Sequence, residues 1–405
     1  MSGTSRAGTR GPALLPAHWS VQVLAVFVLG RLVSTVILLV AAARQDSSPW
    51  SGPAPGYGTF INYWDSGWYE RIFREGYPSV LPRDARGAVS HNQWAFYPLF
   101  PGLVRGLHAV TGLGWGVLAP LVAVAAASAA SLVVYRLFRL RSGHGTALTG
   151  VAVVSLAPVS AILQVPYAES LHLLLLASAL YLVAVGRYYA AMPVVALMCL
   201  ARPAGVPFAV MVGILFLHAL RVACRPETDP ARRAQAAQQV LPLFLLGAVS
   251  ALAAVAWPLI AWAVTGRRDA YVATETAWRG EALAPFTPWF EAPAAVVGPA
   301  AAALVVAALL LGTAGLFLAP AVRSIGLVLG AWCAAYLLYL AAFWDPQSST
   351  WRILLPLFPL ALAVATLRGR LILWVLLPVS VMLQFLWVDW LWGWTPTGPD
   401  GDYPP

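Results

Sequence analysis

Charge is scarce in this chain. Of its 405 residues only 10% are Asp, Glu, Lys or Arg, while 60% are hydrophobic. A soluble protein carries roughly a quarter charged residues, so a water-facing globular surface is excluded, and a mean hydropathy of +0.74 fits a polytopic membrane protein. Lysine is absent: all 25 basic residues are Arg, which together with abundant Ala reads as the coding bias of a GC-rich bacterium. The net charge of +9 does not call for nucleic acid, because the arginines sit between apolar runs, where they set topology. Three cysteines build no disulfide framework. Cys199 and Cys333 lie in apolar runs and Cys224 lies beside a basic loop, so all three read as packing residues. Zinc-ligand spacing, a P-loop and a Gly-rich dinucleotide turn are also missing. The long external loop holds no Asp-x-Asp pair, so nucleotide-sugar use is unsupported. The sequence requires no cofactor, although Asp65 and a phosphate could hold a divalent cation with waters.

Long apolar runs are what the chain does have. Arg6 and Arg10 precede a run from Val21 to Ala43 that is long enough to cross a bilayer and reads as an uncleaved anchor, despite the cleavage-like Ala41-Ala42-Ala43. Spans are expected near 20–43, 114–138, 146–165, 169–186, 189–201, 204–222, 240–264, 295–320, 324–343, 351–367 and 371–393, about eleven in all. The Arg bias of the short loops (Arg136, Arg139, Arg141, Arg187, Arg221, Arg225, Arg232, Arg233, Arg323, Arg368 and Arg370) puts the N-terminus inside and the C-terminus outside. Glu227 and Asp229 are the acidic exceptions on the inner side. The expectation is one integral-membrane, all-α domain over 1–405, with large external loops at 44–113 and 266–294.

The first loop carries Trp64, Trp68 and Ile72, with Tyr69 and Phe73, on one helical face, and Glu70, Arg71 and Arg74 on others. That pattern predicts a helix lying in the headgroup layer. The chain shows no internal repeat, which weakens a transporter built from inverted halves.

The expected topology gathers polar groups from distant segments at the outer interface. Asp65, His91 and Tyr97 lie in the first loop, and Gln164, Tyr167 and Glu169 form a short external turn. His172 lies one helical turn inward, Arg202 opens the sixth span, and Arg352 opens the tenth. A cluster of acids and arginines at membrane level points to a site. Asp65 could be a general base for a sugar hydroxyl, a role worth roughly 10²–10⁴-fold, or it could be a helix N-cap. Glu169 could bind acceptor hydroxyls or sit favourably at the start of the fourth span. His91 and His172 could contact donor phosphate or be hydrogen-bonded structural residues. The planar forks of Arg202 and Arg352 suit phosphate oxygens. Arg202 could equally snorkel at the rim, and Arg352 could partner Asp345. Arg31, inside the first span, calls for pairing within the bundle. The Trp387–Trp394 stretch reads as an interfacial aromatic belt, with Asp389 a rim residue or a substrate contact.

At these residues the chain resembles the PIG-V type of GPI mannosyltransferase in its bacterial branch, a family of GT-C membrane glycosyltransferases. Trp64-Asp65-Ser66-Gly67-Trp68-Tyr69 followed by Gly76-Tyr77-Pro78 resembles its first-loop motif. Ala95-Phe96-Tyr97-Pro98-Leu99-Phe100-Pro101, Pro166-Tyr167-Ala168-Glu169-Ser170, Ala201-Arg202-Pro203-Ala204-Gly205 and Trp351-Arg352-Ile353-Leu354-Leu355-Pro356 follow in the family's order. Ala204 departs from the usual Asn, and Ile353 stands where a Tyr is usual. The resemblance implies a GT-C helical bundle in the bacterial plasma membrane with its active site on the extracytoplasmic face. It also implies a polyprenyl-phosphate sugar donor, mannose being the sugar of characterised relatives, and an inverting transfer with Asp65 as base. Trp64, Trp68, Tyr69, His91, Tyr97, Gln164, Tyr167, Glu169, His172, Arg202 and Arg352 are the candidate substrate-binding residues. The implied partners are the lipid donor, a lipid-linked or cell-envelope glycan acceptor and membrane lipids, without nucleic acid. A lipid-linked-sugar flippase is the competing reading, suited by Pro158, Pro193, Pro207, Pro258 and Pro378 within spans.

Overall fold

A computed structural model describes residues 17–279, 284–344, 347–367 and 371–396. Arg368, Arg370 and Asp345 fall outside the described residues. Those residues form helices and contain no strand, only isolated bridges at Ser48–Ser51 and Arg83–Val89. The all-α expectation holds.

The first helix, α1 (Trp19–Arg44), is followed in the first loop by α2 (Asp65–Glu75) and α3 (Leu99–Thr111). Then come α4 (Trp115–Arg139), α5 (His144–Ser155), α6 (Glu169–Ala184), α7 (Tyr188–Ala201), α8 (Gly205–Cys224) and α9 (Pro230–Thr265). The second loop holds α10 (Ala270–Arg279) and α11 (Pro288–Val297); α12 (Pro299–Leu318), α13 (Leu327–Phe343) and α14 (Leu377–Trp387) follow. Among the described residues six helical stretches are long and apolar enough to cross a membrane: α1, α4, α8, α9, α12 and Trp374–Trp392, which contains α14. The apolar helices α6, α7 and α13 are shorter. Tight packing of α8 on α9 and of α4 on α6 forms the centre. Gly205 permits the first of these contacts, since a Cβ there would lie 2.7 Å from the Ala254 backbone.

The count of eleven spans is not confirmed, because two expected spans are interrupted. Over 146–165, α5 stops at Ser155 and a 3-10 turn, Ser160–Gln164, replaces the rest. Pro158 lies in the gap, where it supplies no N–H and disfavours helix in the residue before it. Over 351–367 a single turn (Thr350–Ile353), a 3-10 turn (Leu355–Leu357) and a short helix (Leu360–Ala365) surround Pro356 and Pro359.

Backbone carbonyls released inside a membrane protein need donors, and the first break obtains them from side chains. The Arg31 guanidinium donates to the Ser155 carbonyl at 2.8 Å, to the Ser160 carbonyl, and to Gln164 Oε1 at 3.3 Å. Ser380 Oγ donates to the Leu156 carbonyl at 2.7 Å, and Gln384 Nε2 to the Ala157 carbonyl at 3.1 Å. Ser34 Oγ in turn donates to Gln384 Oε1 at 3.1 Å. Gly30 makes room, since a Cβ there would meet the Ser155 carbonyl oxygen at 2.6 Å. Arg31 is therefore a structural arginine, as its place in the first span implied.

Candidate functional site: paired arginines and carboxylates beside an aromatic cavity

The interrupted segment delivers Tyr167 and Glu169 to the start of α6. From the other side, α2 presents Asp65 as its first residue. Asp65 is thus one position inside the helix, and the N-cap position belongs to Trp64, which makes no side-chain cap. Trp64 has φ 60° and ψ −124°, a conformation that favours glycine. Its indole donates to the Trp392 carbonyl at 2.7 Å and its ring packs against Trp50.

Four charged side chains from separate segments meet here. Arg352 Nη2 pairs with Asp65 Oδ2 at 2.6 Å, and Arg352 Nη1 with Glu169 Oε1 at 3.2 Å. Arg202 Nη1 also pairs with Glu169 Oε1. All four are largely buried: the side chains of Asp65, Arg352, Glu169 and Arg202 are 14, 11, 3 and 22% exposed. Formal charge balances, two against two, as burial demands. Arg352 engages the acids directly and also sits 5.5 Å above the Tyr167 ring centroid.

Tyr167 ties the two halves together. Its hydroxyl accepts from the Asp65 backbone N–H at 2.9 Å and donates to the Tyr63 carbonyl at 3.2 Å. Burial, then the neighbouring Asp65 carboxylate, pushes this hydroxyl well above the usual tyrosine range, so it remains a donor. Tyr69, in α2, is raised by burial and then by Glu169, which places it beside the same charges. Its ring meets Phe96, Phe100 and Tyr167.

The segments that carry the arginines are fixed by ordinary hydrogen bonds. The Arg202 N–H donates to the Met198 carbonyl at 3.2 Å, closing α7. Near Arg352, Tyr336 Oη donates to the Ile353 carbonyl at 2.7 Å and Trp332 Nε1 to the Pro356 carbonyl at 2.8 Å.

Not every candidate from the sequence meets at this cluster. His91 Nε2 lies 3.0 Å from the Ala277 carbonyl, and the ring stacks on Trp278 at 4.1 Å, joining the two external loops. Trp68 stacks on Phe96 and meets Trp278 edge-on in the same junction. Tyr97 Oη is bonded to Tyr271 Oη at 3.1 Å and its ring packs on Trp257. Gln164 is occupied by Arg31, Thr35 and Tyr57. These are packing and bridging roles. Within the expected aromatic belt, Trp390 is exposed, whereas Trp392 is buried, donates to the Phe60 carbonyl at 3.0 Å and packs at a tilt against Tyr167. Asp389 pairs with Arg44 at 2.6 Å, a rim contact.

His172 is buried, and its Nδ1 has no partner. It borders two adjoining cavities. The smaller, about 10 Å³, touches Glu169, Arg202, Tyr336 and Arg352; the larger, about 250 Å³, is walled by Tyr271, Glu275, Tyr336, Tyr339, Phe343 and Trp344. The sequence reading missed these wall residues, although Tyr336, Tyr339 and Phe343 recur at helical spacing along α13. Among the described residues no group of three or more His, Cys, Asp or Glu side chains is placed to hold a metal ion. The carboxylates of the cluster, Asp65 and Glu169, already face guanidinium groups.

No family model matches the chain, and neither does any curated protein. Among solved structures it is similar to the Archaeoglobus fulgidus oligosaccharyltransferase in its apo form, at 13% identity and TM-score 0.49, over 94% of this chain and 57% of that one. It is also similar to the archaeal oligosaccharyltransferase AglB from Archaeoglobus fulgidus in complex with an inhibitory peptide and a dolichol-phosphate, at 12% identity and TM-score 0.49, over 92% and 56%. The chain spans a little over half the length of these proteins, and a likeness this slight carries no conclusion about activity. The helices and their cluster define a class nonetheless: a polytopic, all-helical membrane protein with a charge-balanced polar site at one end of its bundle.

Proposed function

We propose that this protein is a GT-C-type glycosyltransferase that moves a sugar, mannose by its sequence resemblance, from a polyprenyl-phosphate donor to a lipid-linked or cell-envelope glycan. The reaction belongs on the extracytoplasmic face of a bacterial plasma membrane. The observation that carries the reading is the meeting of Asp65, Glu169, Arg202 and Arg352, from four separate segments, beside a cavity.

The chemistry follows from the groups. Asp65 is held by Arg352 through Oδ2, and a carboxylate has a second oxygen that can take a proton from an acceptor hydroxyl. The deprotonating oxygen attacks the anomeric carbon from the face opposite the lipid phosphate, which inverts that centre. The departing phosphate is a stable anion and needs positive charge in place of a proton. Arg202 and Arg352 supply that charge.

The test is transfer from radiolabelled polyprenyl-phosphate-mannose into lipid extract by the protein in proteoliposomes, wild type against Asp65→Asn. A labelled product absent from a well-folded Asp65→Asn protein is the expected result. Normal turnover by that variant removes the base assignment. The interrupted segment at 155–164 favours a flippase as second reading. That reading requires labelled donor to cross the bilayer of the same vesicles without chemical change.

A further inference from the structure

The larger cavity is not explained by the ion pairs, because Asp65 does not line it. Three polar atoms of residues lining the smaller, adjoining cavity lack partners. Glu169 and His172 are 3% and 4% exposed, and none of Glu169 Oε2, His172 Nδ1 and Arg352 Nε has a hydrogen-bond partner. A buried polar atom left this way keeps an uncompensated desolvation penalty, so the three of them at one cavity mark a place where a ligand completes the bonding. Glu169 Oε2 accepts only, and a second anion such as phosphate would be repelled there. It needs an O–H or N–H donor.

The dimensions narrow the ligand further. The small cavity at Glu169 and His172, about 10 Å³, is close to the minimum for one water oxygen, roughly 10–15 Å³. It admits a single hydroxyl. The adjoining space is about 250 Å³, just under the 300 Å³ or so at which pockets for drug-sized ligands begin, which suits one ring. Its walls are the faces and edges of Tyr271, Tyr336, Tyr339 and Trp344, with Glu275 and Arg202 as polar groups. Flat π-faces cover the C–H faces of a ring, while carboxylate, guanidinium and phenol groups bond its equatorial oxygens.

We infer that this cavity is a subsite for a single sugar ring, one hydroxyl of which enters the smaller cavity to donate to Glu169 Oε2 and reach His172 Nδ1. The inference rests on the transferase reading for its biology but not for its physics. Arg202 then has two sides, one neutralising Glu169 and one facing the ring.

The experiment is saturation-transfer NMR on the full chain in lipid nanodiscs. The probes are methyl α-mannoside and methyl α-glucoside, with inorganic phosphate and cyclohexylmethanol as competitors. Leu340 also lines the space and is 2% exposed, so Leu340→Trp fills it, and Tyr339→Leu removes one ring face. The expected result is saturable glycoside binding, weakened at least tenfold in whichever variant keeps the wild-type melting temperature. Phosphate and cyclohexylmethanol should not displace the glycoside. Displacement by phosphate would make the cavity an anion site, and displacement by cyclohexylmethanol an apolar groove; either overturns the inference. So would no glycoside signal, or equal binding in a folded variant. If neither variant folds, the competition on wild type decides alone. Binding without transfer from any prenyl-phosphate donor would sink the transferase and leave the subsite standing. Transfer unaffected in a folded Leu340→Trp protein would do the reverse.

Discussion

Two buried polar networks in this molecule are built around arginine, and they are built differently. At Arg31 the partners are mostly backbone carbonyls freed by a helix break, with amide and hydroxyl side chains closing the network. Among the described residues every buried side-chain donor and acceptor of that network has a partner, apart from Arg31 Nε. At Glu169 the partners are full opposite charges, and the cluster borders a cavity lined by three residues with an unpartnered polar atom, Glu169 Oε2, His172 Nδ1 and Arg352 Nε. The first network holds the chain in shape. The second has bonding capacity in reserve. Burial of charge alone does not distinguish a site from a scaffold; unspent hydrogen-bonding capacity beside open space does.

Substitutions can break that contrast or sharpen it. The largest effect is expected for Asp65→Asn, which keeps the shape of the side chain and removes its basicity. Transfer should fall by about 10²–10⁴-fold, with little change in the melting temperature. Glu169→Ala should be nearly as severe but of a different kind. Leaving two buried arginines without their shared carboxylate costs about 3–5 kcal/mol, read as a lower denaturation midpoint along with lost activity.

Gln384→Leu tests the other network. It removes one bond from the Ala157 carbonyl, which keeps the Ser160 N–H, and one from the Ser34 hydroxyl, which keeps the Gly30 carbonyl. Each lost bond should cost about 0.5–1.5 kcal/mol, while any surviving folded protein keeps its substrate KM. An altered KM at unchanged stability would dissolve the distinction between the two networks. Tyr167→Phe should be mildest, about 1 kcal/mol, with kcat lowered more than KM because Asp65 loses a backbone anchor.

The members of the charged cluster were legible in the sequence because charge is so rare here that each acid or arginine near the expected outer rim stood out. Asp65, Glu169, Arg202 and Arg352 could be assigned to one depth by counting spans, and the structure joins them. What did not follow was their pairing. Asp345, the nearer acid in sequence, was an alternative partner for Arg352 and lies outside the described residues; Arg352 contacts Asp65 and Glu169. The helix breaks were hidden because hydropathy does not sense them: 146–165 and 351–367 are apolar enough to span, and only Pro158, Pro356 and Pro359 hinted otherwise. Ser380 and Gln384, four apart on one helix, were the overlooked sign that a neighbouring segment has carbonyls to satisfy. His91, Trp68 and Tyr97 were candidate substrate contacts, and sequence does not reveal that each ring packs on another aromatic in this structure.

The backbone at Trp64 carries a consequence for how this protein can change. A large side chain occupies a conformation that glycine would adopt freely, and such strain is worth about 1–3 kcal/mol. Trp64→Gly would relieve it, yet would also release the indole from the Trp392 carbonyl that fixes where α2 begins. Deleting a packed aromatic costs about 3–5 kcal/mol, more than the strain it would relieve, so selection for thermostability should leave the indole in place. The residue next to the proposed base is held in a costly conformation by its own packing, which makes position 64 resistant to change in either direction.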